Sequence, residues 1–465
     1  MEVTRREFLV GCSAAIAALA AGRLSQLVFA DPVSAADRNE ILVVVFLRGG
    51  CDGLSLLCPY DDPAYRQARG PLALPLTGEN APLRIDPRNP SYGTSSFGLN
   101  SKMPHLRELY DAGRLALIHA CGLDDDTRSH FDAMDYIERG TPGNKTTSSG
   151  WITRHLQTSG LSAGLLPAVS AGSQTPASLL AYRDAVAMPN PRSFTINSYW
   201  RYNRPEENYP LMRTLESFYP GSGLNPLDVA GRRTIETIKA IRAANPGTYT
   251  PRDGVTYPTG SFGNALRTVA QLVKMEQGLR IATVDLGGWD THEYQAQSDG
   301  NGYLPDRLGM LSRGLFALYS DLIDYQGRLT IVVMSEFGRR LGHNASNGTD
   351  HGHGNVMLVL GGGVNGGRVY GSWPGLQDLD QGQDLRITTD FRVVLGEIIL
   401  KRLGNRNLGA IFPGLTEQMF QPLGLVSGVD PGPINWASAA EEELALPEQS
   451  RDLPRRLYLP ITANC

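Results

Sequence analysis

Three short segments hold the residue types best suited to chemistry. "GTDHGHGN", Gly348 to Asn355, sets Asp350, His351 and His353 among glycines in a chain with eight histidines. "GWDTH" places Asp290 two residues before His292, and "LDDDTRSHFD" runs Thr127, Arg128, Ser129 and His130 together. Residues two apart in extended backbone point to the same side, so both Asp290/His292 and His351/His353 have the spacing of chelating pairs. Imidazole and carboxylate are ligands of zinc and similar divalent ions, and glycine lets backbone approach such a point closely. Asp350 fits either a ligand or the carboxylate that orients one. Asp52, after "RGGC", and Glu336, in "SEFGRR", complete the acidic set. A carboxylate ending a buried strand must be satisfied; a metal or Arg339 would do this for Glu336. The expected ligand set is therefore Asp52, Asp290, His292, Glu336, Asp350, His351 and His353, holding one or two ions, zinc or similar.

"DDDTRSHFDAMDYIERG" has the form of a helix start, with Thr127 or Ser129 near the N-cap. A hydroxyl there faces free N–H groups and the positive end of the helix dipole, which suits an anion or an attacked phosphoryl group. The dipole contributes only about 0.3–1 kcal/mol at an exposed site, so activation of a nucleophile would fall to a neighbouring divalent ion. Ser129 or Thr127 is the expected nucleophile, Arg128 an oxyanion clamp and His130 a proton donor.

These segments need a scaffold that gathers them. "EILVVVFLRGGCDG", "RLALIHACG", "LRIATVDLGGWD", "RLTIVVMSEFG" and "NVMLVLGGG" are continuous apolar runs of strand length, the pattern of strands covered on both faces. Between them, "FGNALRTVAQLVKME" and "RLGMLSRGLFALYSDLIDY" repeat apolar residues at helical spacing. Alternation of the two predicts an α/β fold, a large doubly wound, mostly parallel sheet flanked by helices. Ligands bind such sheets at the carboxyl ends of the strands, where the acids and histidines follow the apolar runs. "GGGVNG", Gly361 to Gly366, satisfies a dinucleotide-binding pattern, but the glycines and Pro374 after it refuse the helix that pattern needs. No serine-esterase elbow sits at a strand-to-helix junction.

At 465 residues, with 41% hydrophobic and 19% charged residues, the chain can bury a large core. A net charge of −4 gives a nucleic-acid partner no support. Residues 1–36 have the form of a twin-arginine export signal: Arg5–Arg6, Phe8, then a modest apolar run ending before Arg23. That run is shorter than the roughly 20 residues of a membrane span, so no stable transmembrane segment is expected. Cleavage would follow Ala30 or Ala36. The implied location is periplasmic or extracellular, with the twin-arginine translocase as a partner during export. Residues 37–425 form the expected α/β domain, with a looser insertion or cap over about 141–260. Residues 426–465 read as a polar, Pro-rich tail with a short terminal strand. Cys51, Cys58, Cys121 and Cys465 lie outside the signal with no CxxC pattern; a Cys51–Cys58 bridge and buried free thiols are both open readings.

"FLRGGCDGLSLLCPY", "TRSHFDAMDYIERG", "GWDTH", "SEFGRR", "GTDHGHGNVMLVLGGGVNGGRVYG" and "TTDFR" together resemble an uncharacterised exported bacterial family, domain of unknown function 1501. That family is similar to the alkaline phosphatase and sulfatase superfamily, whose fold is a large α/β sandwich with two metal ions. The resemblance implies that Asp52 is a first-strand metal ligand and that Ser129 or Thr127 is the helix-start nucleophile. It implies a loop ligand pair in Asp290 and His292, and His351 or His353 in place of the last histidine. The superfamily's Asp-His pair after another strand is here Glu336–Phe337, one histidine short, and "TRSHF" lacks the modifiable Cys of sulfatases. The implied activity is metal-dependent hydrolysis of a phosphate or related ester, small-molecule or polymer; the alternative is a non-catalytic, metal-stabilised extracytoplasmic binding or surface protein.

Overall fold

The computed structural model describes residues 40–93, 95–160, 164–194, 209–220, 226–244 and 246–438. The expected export signal, Cys465 and the expected terminal strand lie outside them. Twelve strands follow in chain order: β1 (Ile41–Arg48), β2 (Leu57–Cys58), β3 (Leu83–Ile85), β4 (Phe97–Leu99), β5 (Leu115–Gly122), β6 (Ala168–Ser170), β7 (Ala185–Ala187), β8 (Ile281–Gly287), β9 (Leu329–Met334), β10 (Asn355–Gly361), β11 (Arg368–Tyr370) and β12 (Thr389–Asp390). Each of the five apolar runs is a strand. Nine strands form one sheet in the order β11-β5-β10-β9-β1-β8-β6-β7, with β12 beside β5; β2, β4 and β3 form a small second sheet.

Along β1 the side chains alternate between two cores. Ile41, Val43, Val45 and Leu47 face one, which holds the helices Ser261–Lys274 and Tyr303–Asp321. Leu42, Val44 and Phe46 face the other, with the helix Phe391–Lys401. A sheet covered on both faces is the reason its strands are apolar throughout rather than at every second residue. The fold is thus the expected α/β sandwich of a mixed, mostly parallel sheet between helices.

One strand runs against the rest. β10 is antiparallel to both β5 and β9, while β1 is parallel to β8 and β9. The reversal has a consequence for the site. The residues just before β10, including "DHGH", lie on the same sheet edge as those just after β1, β5, β8 and β9. That edge collects Asp52, the segment 124–130, Asp290, Glu336 and His351.

The stretch 141–260 is more than a cap. It supplies β6 and β7, the last two strands of the sheet on the β8 side, before the helices Tyr209–Phe218 and Pro226–Ala243. Three-residue strands are too short to register as apolar runs. After β10, residues 362–367 turn into β11 and no helix begins there. Cys51, Cys58 and Cys121 are buried and free, so no Cys51–Cys58 bridge forms. No helix among the described residues is long and apolar enough to cross a membrane.

Candidate metal centre

The loop "GTDHGHGN" is drawn tight by backbone pairing. Residues 338–340 pair with 350–353 through Gly338 N–H to His353 O (2.8 Å), Arg340 N–H to Asp350 O (3.0 Å) and Gly352 N–H to Gly338 O (2.9 Å). Two glycines are required by proximity. A Cβ on Gly348 would lie 2.1 Å from the His292 carbonyl carbon, and one on Gly352 would lie 2.6 Å from that of Arg339. The first approach sets Asp350 beside His292; the second sets His351 against the strand end that carries Arg339.

The Asp290 carboxylate is where the side chains meet. Its Oδ1 lies 3.1 Å from His292 Nε2, 3.1 Å from His351 Nε2 and 3.4 Å from His130 Nε2, and it accepts from Arg339 Nη2 at 2.7 Å. Burial opposes its ionisation, but the hydrogen bond from Arg339 and the charge of Arg339 hold it well below the usual carboxylate range.

Each histidine is turned the same way by an oxygen behind it. His351 Nδ1 is 2.8 Å from the Arg128 carbonyl, His292 Nδ1 is 3.0 Å from Asp350 Oδ1, and His130 Nδ1 is 2.8 Å from Glu336 Oε1. These oxygens only accept, so Nδ1 carries a proton in each ring, and any ring that is neutral presents a bare Nε2. The Nε2 atoms of His292 and His351 face each other across 2.9 Å. With both rings neutral and protonated at Nδ1, two bare lone pairs at that distance repel unless a cation lies against both. His130 Nε2 is buried and has no hydrogen-bond partner.

The donor set fits a divalent ion. Ligands about 2.0–2.1 Å from a tetrahedral zinc stand about 3.3–3.4 Å from one another, and His130, Asp290 and His351 offer ligand atoms all within 4.8 Å. Burial lowers the His351 pKa, which keeps the ring neutral and able to bind. The hydrogen bond that His130 donates to Glu336 raises that of His130. For Asp350, burial opposes ionisation, and the hydrogen bonds from His292 and Asn344 more than offset it.

The expected ligands do not all reach this point. Asp52 is fully buried and wholly occupied elsewhere. It pairs with Arg69 through both oxygens, accepts from Ser55 Oγ (2.7 Å) and Gln295 Nε2 (2.7 Å), and caps the short helix Gly53–Leu56. Glu336 stands behind His130 rather than at the centre, and also accepts from Gly49 N–H at 2.7 Å. Arg339 was one expected partner for Glu336; it binds Asp290 instead, and its remaining N–H groups hold the carbonyls of Gly49, Gly50, Trp289 and Thr349. Asp350 orients His292. His353 Nδ1 turns to Asp380 at 2.5 Å, away from the other histidines.

The helix-start residues behave as caps. Ser129 Oγ accepts from Asp132 N–H at 3.4 Å and Thr127 Oγ1 from Ser129 N–H at 3.2 Å; neither hydroxyl touches a base. The Arg128 guanidinium, expected as an oxyanion clamp, is bound to Asp384 (2.5 Å) and Gln381 (2.8 Å), while its carbonyl orients His351. Sequence reasoning assigned His130 a proton and missed its place beside Asp290. The clue was present: a histidine heading a helix on the strand-end edge is aimed where the other ligands gather.

Residues 240–388 match the protein family of unknown function DUF1501, so the resemblance read from the motifs holds over that stretch. No curated protein matches the chain in sequence. Among solved structures the chain is similar to the C-terminal periplasmic domain of EcEptC from Escherichia coli in complex with zinc. The identity is 9%, the alignment covers 77% of this chain and 82% of that one, and the TM-score is 0.34. It is also similar to the PsFucS1 sulfatase from Pseudoalteromonas sp., at 12% identity over 85% of this chain and 73% of that one, with a TM-score of 0.36.

Proposed function

We propose that this chain is an exported, metal-dependent hydrolase of phosphate or related esters, with His130, Asp290, His292 and His351 around one divalent ion. The observation that carries the reading is the pair of Nε2 atoms facing each other across 2.9 Å, each ring with an oxygen at hydrogen-bond distance from its Nδ1. A divalent ion there would supply Lewis-acid neutralisation of the charge that builds on an attacked ester. Arg339 keeps Asp290 ionised, Glu336 and Asp350 fix the angles of His130 and His292, and the Arg128 carbonyl fixes His351. Ser129, next in chain to His130, is the proposed nucleophile, with its Oγ at the N-terminus of the helix His130–Arg139. Attack would form a bond from Oγ to phosphorus and break the bond to the leaving oxygen, the Oγ proton passing through solvent to that oxygen. Water would then cleave the phosphoseryl ester, returning the serine hydroxyl and releasing phosphate. The twin-arginine signal supports export of the folded, loaded protein.

A second reading has its own support. Neither Ser129 nor Thr127 touches a base and Arg128 is committed to Asp384, which is also what a metal-stabilised binding or surface protein on this scaffold would have. Phosphate monoesters, phosphodiesters and sulfate esters offered to the zinc-loaded protein separate the two. Turnover lost in Ser129→Ala with the ion retained supports the enzyme. No turnover in any class, with Ser129→Ala and Thr127→Ala indistinguishable from the parent, supports the binder.

A further inference from the structure

Beside the Asp290 centre lies a second group that shares no residue with it. His353 is only 3% exposed, and its Nδ1 lies 2.5 Å from Asp380 Oδ2 and 3.9 Å from Asp384 Oδ2. Asp126, His353 and Asp380 each offer a ligand atom, all within 4.8 Å of one another. Two buried atoms of the group, His353 Nε2 and Asp384 Oδ1, have no hydrogen-bond partner.

The geometry points to a second divalent-cation site, formed by Asp126, His353 and Asp380 with Asp384 behind them. Electrostatics favour it. Of the carboxylates of Asp126, Asp380 and Asp384, Asp384 pairs with a guanidinium, that of Arg128, at 2.5 Å. Among the described residues no lysine or arginine pairs with Asp126 or Asp380. Asp384 is 0% exposed, and although Arg128 answers its Oδ2, its Oδ1 is buried with no hydrogen-bond partner, which is costly. A cation offsets that cost.

The chain builds this arrangement from three segments. Asp380 and Asp384 are brought side by side by a tight turn, with reciprocal backbone bonds of 2.9 Å and positive φ at Gln381 (49°) and Gly382 (72°). The next residue, Leu385, accepts from Gly354 N–H at 2.9 Å, fixing the turn against the His353 loop. Asp126 comes from the segment leading to the helix His130–Arg139, which Arg128 ties to the same turn. One imidazole with carboxylates is a mixed nitrogen and oxygen set, suited to a transition-metal ion such as manganese or zinc rather than calcium. Such an ion would clamp the segment carrying Thr127 and Ser129 to the turn 380–384. The inference does not depend on whether the protein is a hydrolase.

Ion counting on the full chain tests it. The protein is stripped of metal, dialysed against Mn2+ or Zn2+, and measured by elemental analysis. The parent is expected to hold two ions per chain, Asp126→Asn/Asp380→Asn one, and His292→Ala/His351→Ala one. A parent and an Asp126→Asn/Asp380→Asn variant with the same ion count overturns the second site and leaves the Asp290 centre standing. One ion lost from Asp126→Asn/Asp380→Asn, with none lost from His292→Ala/His351→Ala, supports the second site and removes the first. Should the double variant fail to fold, Asp126→Asn alone changes an exposed residue. It is expected to weaken one ion by about tenfold or more; unchanged affinity for both ions overturns the proposal.

Discussion

Asp52 and Asp290 follow neighbouring strands, β1 and β8, and sit on the same edge of the sheet, yet the structure uses them in opposite ways. Asp52 has no exposed surface and is saturated by a buried guanidinium, a serine, an amide and a helix N-terminus. Asp290 leaves 48% of its side chain exposed and is ringed by imidazole nitrogens. What separates them is the counter-charge at hand. A guanidinium with its own N–H groups closes a carboxylate off, whereas imidazoles turned by their Nδ1 hydrogen bonds leave nitrogen atoms beside the carboxylate that could bind a cation. Position at a strand end brings a carboxylate to the active edge; its neighbours decide whether it acts as a brace or a ligand.

The largest expected effect tests the brace. Asp52→Ala leaves the Arg69 guanidinium buried and unpaired, a change that costs about 3–5 kcal/mol. Urea denaturation should show that loss, while the folded fraction keeps its full ion content. Loss of an ion with stability unchanged would make Asp52 a ligand and erase the contrast.

At Asp290 the order should reverse. His351→Ala or His292→Ala is expected to lower zinc affinity by more than about 100-fold, since losing only an orienting partner costs about 10–100-fold. The stability of the metal-free protein should change by about 1 kcal/mol or less. Competition with a chromophoric chelator measures the first and denaturation the second. Glu336→Gln keeps the shape but weakens the acceptor behind His130, and should fall in that 10–100-fold range.

The smallest effect is the acid response. Burial opposes ionisation of Asp52, yet Arg69 and the hydrogen bonds around it hold its folded pKa below the ordinary value. A group whose pKa is lowered by folding contributes stability that is present above the unfolded value, about 3.9, and lost as pH falls through the folded one. Stability should therefore decline below about pH 4, and Asp52→Asn should flatten that decline. An identical slope in the variant would assign the acid sensitivity to other carboxylates.

Much of this was legible in the sequence. The five apolar runs gave the central strands, and the strand-end rule gathered Asp290, His292, Glu336 and His351 on one edge. Asp290 and His292, which have chelating spacing, stand 3.1 Å apart, Oδ1 to Nε2. The same spacing misled for His351/His353, because the pairing of Gly338 with Gly352 and His353 binds that loop to a strand end and the next residues to the turn 380–385, so the two rings serve different groups. The partner of Asp52 was not legible, since Arg69 lies in an unremarkable helix, Pro63–Arg69, and only tertiary packing brings it there. Nor was the direction of β10, because a buried antiparallel strand and a buried parallel one are equally apolar.

The central claim is that imidazole nitrogens at Asp290 share one cation. X-ray absorption fine structure on Asp126→Asn/Asp380→Asn protein loaded with one equivalent of zinc tests it most directly. The account predicts a first shell near 2.0–2.1 Å with the multiple-scattering signature of two or three imidazoles, lost in His292→Ala/His351→Ala. A shell of oxygens alone, or zinc that stays bound unchanged in that variant, would contradict it.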